Sequence, residues 1–452
     1  YDDVTLPSCP ILSYVDSGQA LGGSATRDIA LGDLDGDGDL DAVFAEIAGT
    51  VRHIWLNNGG LFTYDGQTLS LLFTCVTLAD IDSDNDLDLV VGTSNSQSNL
   101  VYVNDGTGIF TTGSSLGNSR AQDIESGDFD GDNDIDVLIT TSGNGGDEIW
   151  FNDGAGNFLN SGQSIGSATT YGASVGDIDG DNDLDIWTAH TGPNRVFIND
   201  GSGIFTDSGQ TLGSLPSREV VLGDLDGDND LDAFVANITT DGVWINDGSG
   251  NFSAGTALPR TVAMDADLAD VDGDGDLDAL IAVVNAPDKI WINDGQANFT
   301  DSGLSIATSQ TFAVAMGDVD NDNDIDLIIG RTGLTANQVH LNDGCDSCVV
   351  TINRTWTAVD CLANSSECLQ QITVEDTTGP VVTCPADVTV ECGTSTLPAG
   401  TGTATATDNC HGTSAVSPSD TVASGSCPVE TVISRTWSST DDCGNVGSCV
   451  QT

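Results

Sequence analysis

Asp33-Leu34-Asp35-Gly36-Asp37-Gly38-Asp39-Leu40-Asp41 places five carboxylates in nine residues, alternating with small or apolar neighbours. The same string, Asp-x-Asp-x-Asp-(Gly/Asn)-Asp-x-Asp, occurs seven times. It returns as Asp80, Asp82, Asp84, Asp86, Asp88; as Asp128, Asp130, Asp132, Asp134, Asp136; and as Asp177, Asp179, Asp181, Asp183, Asp185. It continues as Asp224, Asp226, Asp228, Asp230, Asp232; as Asp270, Asp272, Asp274, Asp276, Asp278; and as Asp318, Asp320, Asp322, Asp324, Asp326. Successive copies start 47, 48, 49, 47, 46 and 48 residues apart, the length of one supersecondary unit.

What flanks the string sets the fold class. Each copy runs into a short apolar stretch, such as AVFA from Ala42, LVVG from Leu89 or LIIG from Leu327. A continuous run of about four such residues bounded by turns predicts a strand buried on both faces. About ten residues later a second strand ends in an Asn-(Asp/Asn)-Gly turn, as in IWFNDGAGNF from Ile149, the signature of a hairpin. No stretch shows helical periodicity. Repeated units of about four short antiparallel strands predict an all-β, seven-bladed β-propeller over residues 1–344, because radial closure leaves only short edges. Residues 14–22, YVDSGQALG, match the last strand of the fourth repeat, FTDSGQTLG from Phe205. The N-terminal strand is therefore expected to complete the last blade.

The aspartates point to a metal. Alternate residues of a tight loop converge, giving carboxylates at positions 1, 3, 5 and 9 and a main-chain carbonyl at 7. Position 6 is Gly or Asn in every copy (Gly38, Asn85, Asn133, Asn182, Asn229, Gly275, Asn323), residues that accept a left-handed backbone. Position 8 is always Leu or Ile and is expected to anchor the loop in the core. Hard oxygen ligands in this number suit Ca²⁺, about seven ions in all, better than Mg²⁺. Position 12 of the first loop is Phe44 and no helices flank it, so the loop is not an EF-hand.

Charge narrows the partners. Across 452 residues, 70 acids face 10 basic residues, a formal charge of −60. Nucleic acid and anionic membrane surfaces would repel such a chain. No apolar run reaches the roughly 18–20 residues of a spanning helix. A hydrophobic content of 38% nevertheless exceeds that of a disordered acidic tail.

The loop, the Asn-Asp-Gly-x-Gly-x-Phe turn and the period resemble the FG-GAP/VCBS repeats of integrin-α-like seven-bladed propellers. The resemblance implies calcium loops on the lower face and protein or surface-glycan ligands on the upper one. The upper-face loops, near 47–52, 93–100, 141–148, 188–195, 237–242, 285–289 and 331–338, contain no Trp, Tyr or Phe, which weakens a lectin reading. Trp55, Trp150, Trp187, Trp244 and Trp291 mostly recur at one strand position and predict packing between blades, with His340 in the same place.

After residue 344 the composition changes. Cys345, Cys348, Cys361, Cys368, Cys384, Cys392, Cys410, Cys427, Cys443 and Cys449 crowd this end, against Cys9 and Cys75 before it. Such density reads as disulfides formed in an oxidising compartment rather than as zinc sites. Arg354-Thr355-Trp356 recurs as Arg435-Thr436-Trp437. TGPVVTCPADVTVEC with the later ATATDNC resembles HYR-type Ig-like domains of secreted and cell-surface bacterial proteins. That resemblance implies a partial Ig-like segment at 345–378 and an HYR-type domain at 379–452. The earlier copy continues past the point where Gln451-Thr452 ends the later one, which is compatible with self-association into a fibre by strand addition.

No nucleophile–base pair or phosphate loop is present, and His53, His190, His340 and His411 belong to separate repeats or domains, so no catalytic residue is expected. Asn237, Asn251, Asn298, Asn353 and Asn364 stand in glycosylation triplets. The expectation is an extracellular calcium-binding interaction or adhesion module; the alternative is a fibre subunit, with a polysaccharide-active enzyme further behind.

Overall fold

The computed structural model describes residues 12–342, except 24, 49–52, 68, 70–71, 95–96, 144, 167–168, 260–261, 308–309 and 334. Beyond these it describes 349–359, 365–375, 378–390, 396–407, 416–424, 431–440 and 445–452. The chain divides into two compact units, of which one is Tyr14–Asn342.

That unit holds seven four-stranded antiparallel sheets among the described residues, arranged as propeller blades. Sheet I comprises Thr26–Gly32, Asp41–Glu46, Ile54–Leu56 and Thr63–Tyr64. Sheets II to VI repeat this order, their first strands being Cys75–Ala79, Ala121–Gly127, Thr170–Gly176, Ser217–Gly223 and Ala263–Ala269. Sheet VII takes Thr311–Gly317, Asp326–Arg331 and Gln338–Asn342 from the end of the unit and Tyr14–Asp16 from its start. Tyr14 pairs with Asn342, and its hydroxyl donates to the Ile325 carbonyl at 2.9 Å.

The apolar runs behave as their composition requires. Second strands such as Asp41–Glu46, Asp136–Thr141 and Asp278–Val283 are buried along their whole length. Clusters of apolar side chains lie between neighbouring sheets: Val43, Ile54 and Phe73 with Leu89 join I to II, and Ala42 and Phe44 with Ile328 and Val339 join I to VII. Trp55, Trp150, Trp244 and Trp291 stand on third strands, where His340 also stands in sheet VII, 7% exposed. Trp187 is on a second strand instead, edge-on to Phe252 of the next sheet with ring centroids 4.4 Å apart.

Position 8 anchors the loops in the core as expected: Leu40, Leu87, Ile135, Leu184 and Leu277 pack against the apolar clusters. A Cβ on Gly176 would lie 2.5 Å from Leu231, and one on Gly32 would lie 2.6 Å from Leu87. The leucine of each of these loops thus fits over a glycine that ends the first strand of the preceding sheet.

In the second unit, the hairpin Val349–Val359 with Ser365–Glu375 pairs Trp356 with Cys368 and Arg354 with Gln370. The three-stranded sheet Ser417–Ser424, Thr431–Thr440 and Val446–Gln451 pairs Trp437 with Cys449 and Arg435 with Gln451. The Arg-Thr-Trp repeat is therefore one hairpin register used twice. Cys384 and Cys449 form a disulfide, and Arg435 holds both oxygens of Asp420 at 2.7 and 2.8 Å. A two-stranded sheet and one helical turn, Pro398–Thr401, complete the described elements; the remaining expected disulfide cysteines have no described side chains.

Candidate metal loops and central channel

Each aspartate loop joins a first strand to a second one, and its hydrogen bonds explain the spacing. The position-1 carboxylate collects main-chain N–H groups from inside the loop: Asp33 accepts from Gly36, Asp37 and Gly38 at 2.8, 3.2 and 3.0 Å. Asp128 does the same with Gly131, Asp132 and Asn133. Folding the backbone that tightly needs a positive φ at position 6, and Asn85, Asn133, Asn182, Asn229 and Asn323 have φ of 72°, 69°, 72°, 69° and 73°. Gly38 and Gly275 take the same region at 96° and 97°.

Position 9 is fully buried in every loop, at Asp41, Asp88, Asp136, Asp185, Asp232, Asp278 and Asp326. One oxygen accepts from the position-2 N–H and the other from the asparagine that ends the third strand: for Asp41 these are Leu34 at 2.8 Å and Asn57 at 2.7 Å. The carboxylate is thereby held rigid while each oxygen keeps a second lone pair. Burial raises its pKa, to about 6 at Asp41 and about 7 at Asp136, despite those two donors.

Ligand oxygens of Asp80, Asp82 and Asp88 lie within 4.8 Å of one another, as do those of Asp128, Asp130 and Asp136, of Asp177, Asp179 and Asp185, and of Asp224, Asp226 and Asp232. In the first loop the trio is Asp33, Asp35 and Asp37. Position 3 carries the telling atom. Oδ1 of Asp35, Asp82, Asp130, Asp179, Asp226 and Asp272 is buried without a hydrogen-bond partner. A buried carboxylate oxygen left without a donor is costly. Burial and the adjacent carboxylates raise the Asp35 and Asp130 pKa. A divalent cation removes both penalties, so the donor set fits a hard metal ion.

Position 7 belongs to a different contact. Asp39 accepts from the Gly59 N–H at 2.7 Å, and Asp86, Asp134, Asp183, Asp230 and Asp276 press against Gly106, Gly154, Gly201, Gly248 and Gly295 of the Asn-Asp-Gly turns. Their side chains brace the neighbouring turn and stand outside the named clusters. Position 5 shapes the loop as well, Asp37 accepting from the Asp39 N–H at 3.0 Å.

The turn asparagines close the ring, a role invisible in the repeat itself. Asn104 of sheet II donates to the Leu34 carbonyl of sheet I, Asn152 to Ile81, Asn199 to Phe129, Asn246 to Ile178 and Asn293 to Leu225. Asn342 reaches back to Val271, and Asn57 of sheet I reaches Val319 of sheet VII at 2.6 Å. Every sheet is thus tied to its predecessor, and the cycle returns to its start.

At the other end of the first strands the sheets surround a channel. Counted back from each loop, the residue six before position 1 is Arg27, Thr74, Gln122, Tyr171, Arg218, Met264 or Phe312. All seven line a cavity of about 300 Å³ at the channel mouth, on the face opposite the aspartate loops. The same cavity is also lined by acids, Asp28, Asp123, Glu219 and Asp265. Asp28 accepts the Val76 N–H of the next sheet at 2.8 Å, Asp123 that of Ala173, Asp265 that of Val314 and Asp267 that of Met316. These carboxylates cap the edge N–H groups that an innermost strand leaves unpaired. Burial raises Asp28 to about 7 and Asp123 to about 6, and lifts Glu125, Glu219 and Asp265 as well. Some of the acid excess is therefore inside the ring rather than on its outer surface.

The loops of this face hold no Trp, Tyr or Phe, but strand starts bring two aromatics, Tyr171 and Phe312, into the cavity. Among the glycosylation triplets, Asn237 is buried and donates to Thr240, whereas Asn251 and Asn298 are exposed in turns, donating to Asp247 and Asp294. His53 is stacked on Phe73 with centroids 3.9 Å apart, and the His190 ring contacts Thr188 and the Thr169 carbonyl.

The family model for the FG-GAP-like repeat matches residues 33–91, 80–139, 128–188, 177–235, 224–281 and 270–329. This chain belongs to the FG-GAP-like repeat family. Each match opens on position 1 of one loop and ends just past the next, which is why seven loops give six FG-GAP-like matches. Among solved structures, BBS1N in complex with ARL6DN aligns with a TM-score of 0.52 at 14% identity, over 73% of this chain and 97% of that one. An Agrocybe aegerita lectin described as recognising non-reducing terminal N-acetylglucosamine aligns at 0.46 and 20% identity, over 70% and 87%. The extracellular domain of a one-component system, BT4673 of B. thetaiotaomicron, aligns at 0.46 and 13%, over 72% of this chain and 39% of that one. At these identities the likeness concerns the fold alone. No curated protein matches the chain. Among the described residues no helix is long and apolar enough to cross a membrane.

Proposed function

We propose that this chain is an extracellular interaction module: a seven-bladed FG-GAP-like propeller stiffened by one Ca²⁺ per aspartate loop, taking its ligand on the face opposite those loops. The observation that carries the calcium reading is the buried, partnerless position-3 oxygen, repeated in loop after loop. Positions 1, 3, 5 and 9 would supply the carboxylates and position 7 its carbonyl; the bound ion would neutralise the cluster. The channel mouth, with its unlike side chains set on a uniform scaffold, supports the choice of face. The disulfide and the cysteine-rich end favour an oxidising, extracellular setting. Binding rather than catalysis is supported by His53 and His190, both occupied by structural contacts.

Equilibrium dialysis with metal analysis tests the reading. About seven Ca²⁺ per chain, retained against a large excess of Mg²⁺, is the expected result. One ion or none, or equal retention of both metals, would refute it.

A further inference from the structure

The mouth of the channel is built by a device that the rest of the repeat does not need. In sheet I the pairing runs Thr26 with Glu46 and then Asp28 with Ala45, so Arg27 is an extra residue, a β-bulge. The same shift isolates Gln122, Tyr171, Arg218, Met264 and Phe312 in their sheets. A bulge re-aims a side chain, and here six of them aim into one cavity. The residue before the bulge is Thr, Ser or Ala in all six sheets, whereas the bulged residue ranges over Arg, Gln, Tyr, Met and Phe, so it is not held to one type by the repeat.

Its concentration of arginine is out of character with the chain. Arg27 and Arg218 stand here, and Arg120 adds a third guanidinium to the lining. Among the described residues none of the three has a carboxylate within ion-pair distance, although acids outnumber basic residues 70 to 10. Four acids share the lining, Asp28, Asp123, Glu219 and Asp265, but their oxygens are engaged by the main chain: Asp28, Asp123 and Asp265 each give one oxygen to the next sheet's N–H and the other to the following residue's N–H, and Glu219 accepts from the Val220 N–H. Arg218 lies over the Tyr171 ring at 4.2 Å and Arg27 over Phe312 at 5.3 Å, so both forks are held in place by aromatic faces. Nε of Arg218 is buried without a hydrogen-bond partner. Burial and the charge of Arg218 together lower the pKa of Arg27, the sign of two like charges facing one another.

We propose that the channel mouth is a binding site for a small carboxylate, held between Arg27 and Arg218 and no larger than one acidic sugar ring. Two guanidinium forks already ordered by aromatic rings match a carboxylate and lose little entropy on binding it. A cavity of about 300 Å³ admits one such unit and excludes a polyanion. Gln122 and Thr74 add groups suited to hydroxyls. The inference rests on the proposed binding face and assigns it a ligand class.

Calorimetric titration of the full chain, loaded with calcium in a carboxylate-free buffer, tests it with D-glucuronate, succinate and neutral glucose. Saturable binding of glucuronate or succinate with Kd of about 1 mM or tighter, and none of glucose, is expected. Glucuronate alone would identify an acidic sugar as the source of the carboxylate; succinate alone, a free acid. Arg27→Gln and Arg218→Gln should each weaken binding about tenfold, with calcium stoichiometry and melting temperature unchanged. No saturable carboxylate binding, glucose binding as tightly as glucuronate, or full affinity in the double variant would overturn the assignment. A ligand that still bound the upper face of the double variant would overturn this site while leaving the wider interaction reading intact.

Discussion

Asn199 offers the sharpest test of how the ring is held. Its amide donates to the Leu184 carbonyl of its own loop at 3.1 Å and to the Phe129 carbonyl of the preceding sheet at 2.8 Å. Its oxygen accepts from the Gly201 and Gly203 N–H groups at 3.3 and 3.1 Å, and the residue is 3% exposed. Asn199→Ala strands two buried carbonyls, each at about 1–3 kcal/mol, for a loss on the order of 2–5 kcal/mol. Asn199→Asp keeps the shape and the accepting oxygen but points a carboxylate oxygen at the same two carbonyls. Burying an unpaired charge there costs several kcal/mol more, so the isosteric change should be the more damaging one. Urea unfolding followed by tryptophan fluorescence, in saturating Ca²⁺, gives the comparison. The aspartate variant should also regain stability as pH falls towards about 5, because its protonated form can donate once more. An aspartate variant as stable as the alanine one would refute the account of the asparagine as a donor between sheets.

Chelation should lower the melting temperature steeply: with free Ca²⁺ at about ten times Kd each site contributes roughly 1.4 kcal/mol, so seven approach the roughly 5–15 kcal/mol of a typical domain. An unchanged melt in excess EDTA would count against calcium. In EDTA, stability should rise as pH falls from about 8 to 5. Raised carboxyl pKa values, about 7 at Asp28 and about 6 at Asp123 and Asp267, mean that the folded state holds protons the unfolded chain releases above about pH 4. That advantage is lost as pH climbs through those values. With Ca²⁺ the dependence should reverse below about pH 6, since loop carboxylates must be ionised to bind the ion; melting curves at two pH values, with and without metal, decide it. Gly176→Ala sets a Cβ 2.5 Å from Leu231 and should cost about 1–3 kcal/mol, whereas exposed Gly162, with open space around it, should register only its backbone strain at φ 75°.

Much of the site was legible before the structure. Alternating aspartates with Gly or Asn at position 6 can only be a tight loop, and the observed φ values follow from that chemistry. Position 7 was less transparent: the repeat gives Asp39 the same spacing as its neighbours, yet the folded loop sends its side chain to Gly59 of the adjoining turn. The bulged ring was hidden for a different reason. Residues six before each loop follow no common type, with Arg alone occurring twice, so they do not stand out as part of the repeat; their variability at a fixed offset was the available signal.

The sequence by itself determined the unit: its length, its four strands, its metal-ready loop and the composition change after it. Local rules suffice there, because strand burial, turn chemistry and carboxylate spacing act within some tens of residues. Only the tertiary structure decided which groups meet around the ring. Asn57 reaches Val319 across 262 residues of chain, and Arg27 of sheet I meets the charge of Arg218 from sheet V. Such contacts depend on closing the sheets into a circle, where seven equivalent strand ends converge on one axis and unlike residues become neighbours.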